Sequence, residues 1–153
     1  MEKNATDIEP RPRVGIGVLI QNDKQHILLS LRKGSHGEGE WAFPGGHLEF
    51  GETIFETAKR EVKEETDLDV DEFELISIND ELRYIETDRK HYVGIGVLAK
   101  YKGGEPKVME PHKSIEWKWF DLANLPEPLF EGTALTIKNY KAHKIYQPPT
   151  GKR

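Results

Sequence analysis

The chain has 153 residues, 36 % hydrophobic, 32 % charged and 9 % aromatic; this length buries one sizeable core, is short for two domains, and is too apolar in its dense runs for a disordered chain. Acids outnumber bases 27 to 22, a net charge of −5, which is the wrong sign for a non-specific nucleic-acid coat, so a phosphate-bearing ligand must be met by local chemistry. No cysteine is present, which excludes disulfides, thiolate zinc sites and cysteine nucleophiles and agrees with a cytoplasmic, reducing location. The polar, acidic first ten residues are unsuited to a secretory signal, and no apolar run approaches the roughly 20 residues that span a bilayer. The expectation is a single domain over residues 12–146, with flexible tails at 1–11 and 147–153 and no membrane partner.

In chain order, residues 13–20 (RVGIGVLI) and 26–31 (HILLSL) read as strands joined by the turn residues Asn22, Asp23 and Lys24. Residues 34–40 (GSHGEGE) form a glycine-rich loop, and 41–43 (WAF) a short strand stopped by Pro44-Gly45-Gly46. The clearest helix runs from 53 to about 66, opened by a capping box of Thr53 with Glu56. Strands follow at 73–78, 91–101 and 115–120, a helical turn at 121–125, and a C-terminal helix at 129–142 with weak apolar periodicity. Strands mixed with two or three helices predict an α/β or α+β fold.

The hexapeptide VGIGVL occurs twice, at 14–19 and 93–98. The second copy matches G-x-G-x-x-A, but Lys100, Tyr101, Lys102 and two glycines follow it where a dinucleotide site needs a helix. Its glycines serve either close packing or room for a ligand.

Chemistry concentrates in residues 45–68, GGHLEFGETIFETAKREVKEETDL. On a helical wheel Ile54, Phe55, Ala58 and Val62 form an apolar stripe, with Glu56, Lys59, Arg60 and Lys63 on the far side. Glu61 and Glu65 lie on or beside the stripe, one turn apart. Inward carboxylates repel one another and are costly to desolvate, and a hard divalent cation removes both penalties. A solvated acidic patch is the competing reading.

This stretch resembles the signature of the Nudix hydrolases, G-x5-E-x7-R-E-U-x-E-E-x-G-U with U bulky and apolar, through Gly46, Glu52, Arg60, Glu61, Val62, Glu64, Glu65 and Leu68. Asp67 stands where the family has a helix-ending glycine. Asp tolerates the left-handed conformation less well than Gly, so a modest stability cost is expected there. Flanking segments over roughly 12–130, among them PGGHLEFGE, the stretch from Glu105 to Pro111, and LPEPLF, are similar to the MutT-like nucleotide diphosphatases that handle purine deoxynucleoside triphosphates.

The resemblance implies an α/β/α sandwich with a mixed sheet and a loop–helix–loop motif. It implies Mg²⁺, with Mn²⁺ as the alternative, on Glu61, Glu64, Glu65 and the Gly46 carbonyl, and an Arg60–Glu52 pair holding loop to helix. Glu110 is a candidate further metal carboxylate, its alternative being an exposed turn acid. Arg32, Lys33, His47, Glu49, Tyr92 and Phe130 are candidates for substrate binding, against a solvated turn for the basic pair and structural roles for the rings. Trp41, Trp117 and Trp119 are candidate base-stacking residues whose default is the core. The implied activity is hydrolysis of a nucleoside triphosphate of the dGTP or 8-oxo-dGTP type to monophosphate and pyrophosphate. Alternatives are ADP-ribose, another nucleoside diphosphate sugar or a prenyl diphosphate as substrate, or a non-catalytic nucleotide-binding module. A homodimer is common in the resembling subgroup.

Overall fold

The computed structural model describes residues 9–34 and 36–151; most of the expected N-terminal tail and the last two residues of the C-terminal one lie outside that range. Seven strands form one mixed sheet: β1 (Arg13–Gln21), β2 (His26–Arg32), β3 (Trp41–Ala42), β4 (Gly45–His47), β5 (Val70–Glu81), β6 (Tyr92–Tyr101) and β7 (Ser114–Asp121). The helices are α1 (Ile54–Thr66), α2 (Ile85–Asp88) and α3 (Glu131–Ala142). The main path runs β3-β2-β1-β6-β5, with β4 added against β1 and β7 against β2.

The repeated hexapeptide explains the centre of the sheet. β1 and β6 are parallel, and the two copies pair in register from Val14↔Val93 through Leu19↔Leu98. Both copies are buried β-branched strands interrupted by glycines on one face, so neither carries a polar outer side. Helices cover both faces. Ala58 and Val62 of α1 pack with Ile16, Val18, Leu28 and Val97, whereas Ile137 of α3 joins Leu19, Ile27, Leu29 and Ile76. The result is the expected α/β/α sandwich with a mixed sheet.

Several boundaries differ from the sequence reading. β4 was hidden because Gly45 and Gly46 have low strand propensity, and it exists through pairing with Gly15–Gly17 of β1. β5 extends beyond 73–78 at both ends and carries two register shifts against β6. Residues 121–125 hold a hydrogen-bonded turn, Asn124 N–H to the Asp121 carbonyl at 2.9 Å, and not a helix. Gln147, at the start of the expected C-terminal tail, donates to Asn139 Oδ1 at 2.9 Å. Among the described residues no helix is long and apolar enough to cross a membrane.

Candidate active site

The capping box forms as the sequence requires. Glu56 N–H donates to the Thr53 hydroxyl at 3.2 Å, and Thr53 N–H to the Glu56 carboxylate at 3.1 Å. α1 ends at Asp67 with φ 63° and ψ 14°, in the left-handed conformation that favours glycine. Between these ends Glu61 is only 8 % exposed, Glu65 half-buried and Glu64 exposed. The helix thus turns two of these three acids inward.

β4 supplies the other wall. A Cβ at Gly46 would lie 2.4 Å from the Glu61 carboxylate, so only glycine lets strand and side chain approach this closely. Gly45 N–H donates to Glu65 Oε2 at 3.3 Å. Arg60 ties the entering loop to the helix: its Nε and a terminal nitrogen grip both Glu52 oxygens at 2.7 and 2.9 Å. Its other terminal nitrogen donates to Glu61 at 2.8 Å and Glu64 at 3.2 Å. Arg60 is therefore partly buried rather than solvated on the far face; its long stem carries the guanidinium back over the loop.

Glu61 and Glu65 open into a cleft of about 340 Å³ that is also lined by Arg32, Gly46, His47, Glu49, Tyr92 and Phe130. Six of the expected substrate and metal residues outside α1 therefore share one cavity with the inward acids. Lys33 is exposed and lies outside this lining. Glu110 is also outside it, paired with Lys113 at 3.0 Å, though its charge reaches Glu65. Arg32 lies over the Phe130 ring at 4.3 Å and donates from Nε to the His36 carbonyl at 2.9 Å. His47 and Tyr92 stack and share a 2.9 Å hydrogen bond. The tryptophans do not line the cleft: Trp41 packs edge-on to Phe120, Trp119 to Tyr101, and Trp117 lies against the core.

Burial and the neighbouring Glu61 charge push the Glu65 carboxyl up to about 8. Burial also raises Glu61, against the pull of Arg60. Glu52, gripped by Arg60, is drawn down to about 2. Among the described residues no group of three or more His, Cys, Asp or Glu converges tightly enough to hold a metal on its own. The donors nevertheless fit a hard cation that keeps several waters: all are oxygens, two are desolvated carboxylates, and Gly46 leaves backbone beside them.

Sequence reasoning missed Lys113, Asn79, Glu81 and His36, which also line the cleft. No local motif marks them. β5, the segment before β7 and the glycine-rich loop bring them in from distant parts of the chain.

Residues 11–140 match the NUDIX domain model. An ADP-ribose pyrophosphatase from Methanocaldococcus jannaschii is 36 % identical over 136 residues, covering 87 % of this chain and 75 % of that protein. An 8-oxo-dGDP phosphatase from Mus musculus is 30 % identical over 110 residues, 71 % of this chain, and the chain spans only 32 % of its length. The crystal structure of a MutT NUDIX hydrolase from Burkholderia pseudomallei superposes with a TM-score of 0.78 at 32 % identity, covering 84 % of this chain and 98 % of that one. The chain belongs to the NUDIX domain family and is a Nudix diphosphatase.

Proposed function

We propose that the enzyme hydrolyses a purine (deoxy)nucleoside triphosphate, of the dGTP or 8-oxo-dGTP type, to the monophosphate and pyrophosphate, using Mg²⁺. The observation that carries this reading is the pair of inward carboxylates, Glu61 and Glu65, set against the Gly46 backbone at one end of a nucleotide-sized cleft. Glu61, Glu65 and the Gly46 backbone would hold the metal, with Glu64, bridged to Glu61 by Arg60, and Glu110, whose charge reaches Glu65, as the further carboxylates of this reading. A bound Mg²⁺ supplies charge for phosphate oxygens and makes its water a better nucleophile. Arg60 orients Glu61 and, through Glu52, fixes the loop. Arg32 and Lys113 bring positive charge to the phosphates, and His47, Glu49, Tyr92 and Phe130 wall the substrate.

ADP-ribose is the second reading, favoured by the name of the archaeal relative. A hydrolysis panel of dGTP, 8-oxo-dGTP, dCTP, dTTP, ADP-ribose, GDP-mannose and geranyl diphosphate, with products identified, separates the two. Pyrophosphate plus a purine monophosphate is expected. Cleavage of ADP-ribose alone would replace the triphosphate reading. The homodimer is also part of this proposal, and sedimentation velocity should give twice the chain mass.

A further inference from the structure

Asn79, Gly94, Gly15 and His47 lie in one row across β5, β6, β1 and β4. Three strand spacings make that row about 14 Å long. Its two central positions have no side chain, and the cleft that takes in Glu61 and Glu65 also takes in Asn79 and Glu81. A nucleotide can bridge such a span between its phosphates and its base.

Two unpaired acceptors stand at the far end. Asn79 is 3 % exposed. Its Nδ2 donates to Ser77 Oγ at 3.1 Å and Thr136 Oγ1 at 3.2 Å, whereas its buried Oδ1 has no partner. Beside it is the Glu81 carboxylate. A Cβ at Gly94 would lie 1.8 Å from Glu81 Oε2 and 2.2 Å from Asn79 Oδ1, and one at Gly132 would lie 2.8 Å from Glu81 Oε1. Two glycines thus make room for an acid and an amide oxygen that crowd the same spot. Burial and Glu131 push the acid up to about 7, with no hydrogen bond from a described residue to offset them. Buried acceptors without donors are costly unless a ligand supplies the donors.

We propose that Glu81 and Asn79 form an acceptor pair that reads the donor–donor edge of guanine, N1–H and the 2-amino group, and so set the base preference of the cleft. A carboxylate offers two acceptors side by side, which match two adjacent donors. Adenine puts an acceptor, N1, at the same place. Cytosine puts N3 there, and thymine has one donor between two acceptors. This inference rests on the nucleotide reading above, but not on which phosphoanhydride is cut.

Equilibrium binding of dGMP, dIMP and dAMP to the full chain tests it without turnover. Hypoxanthine keeps N1–H and lacks the 2-amino group. Wild type should bind dGMP about 10- to 100-fold more tightly than dIMP or dAMP, as expected for a charged hydrogen bond. In Glu81→Gln the dGMP affinity should fall to that of dIMP, with dAMP unchanged. Equal binding of the three by wild type, or no binding of any, overturns the proposal and needs no variant to do so. A guanine preference that survives Glu81→Gln also overturns it. Run with GMP, the same comparison identifies the other donor pair: if Glu81→Gln weakens GMP and leaves dGMP alone, the pair reads a ribose diol and the base assignment is wrong. If the hydrolysis panel yields only ADP-ribose cleavage, the triphosphate reading falls while this binding comparison stands or falls on its own result.

Discussion

Glu65 is the residue where structure and chemistry conflict most openly. Its carboxyl, at about 8 in the folded chain, sits well above an ordinary glutamate. The folded state therefore holds this proton more tightly than the unfolded one, so its effect on stability is most favourable below about pH 4.5 and is lost as pH rises toward 8. Glu81, at about 7, acts in the same direction. Glu52, at about 2, acts oppositely and withdraws its contribution as pH falls below 4.5. Thermal melts of metal-free protein should show a falling melting temperature from pH 5 to 8. Glu65→Gln should flatten that slope and melt higher than wild type at pH 8, because a neutral amide replaces a poorly solvated charge. The inward placement of Glu61 and Glu65 was legible from a helical wheel. The partial burial of Arg60 was not, since the wheel places Cβ atoms and a long side chain can fold back.

At the scale of the element, α1 shows how local signals and tertiary pairing divide the work. Its capping box was readable from Thr53 and Glu56 alone, and Thr53→Ala should cost about 1 kcal/mol in denaturant unfolding. Its other end carries the family's one departure. Asp67 adopts the left-handed conformation and bonds Lys63 and Lys107, exposed contacts of small value. Asp67→Gly should therefore stabilise by about 0.5–1 kcal/mol, the relief of a strained backbone outweighing the lost pairs. β4 shows the opposite case. Gly45 and Gly46 carry no strand signal, and only their place beside β1 makes them one. Gly46→Ala should keep α1 but displace Glu61, because the added Cβ has no space. Circular dichroism would stay near wild type while turnover falls at least tenfold.

Across the whole molecule, the sheet buries both faces and still leaves a cleft where glycines of β1 and β4 remove side chains. Fold class and the acid helix were legible because periodicity, caps and the family signature agree locally. The far end of the cleft was not, because Asn79 and Glu81 reach it through strand pairing at long sequence separation. A cation that relieves the crowded acids should stabilise the whole fold, and more so where they are ionised. Mg²⁺ should raise the melting temperature more at pH 8 than at pH 5.

The most direct test of the account is the Mg²⁺ dependence of dGTP hydrolysis, measured side by side for wild type and Glu61→Gln. Wild type should show saturable, Mg²⁺-dependent release of pyrophosphate. The variant should lose at least 100-fold in turnover with an unchanged or higher metal-free melting temperature. Equal turnover by the two proteins at the same Mg²⁺ concentration would contradict the assignment of this carboxylate pair as the metal-bearing centre.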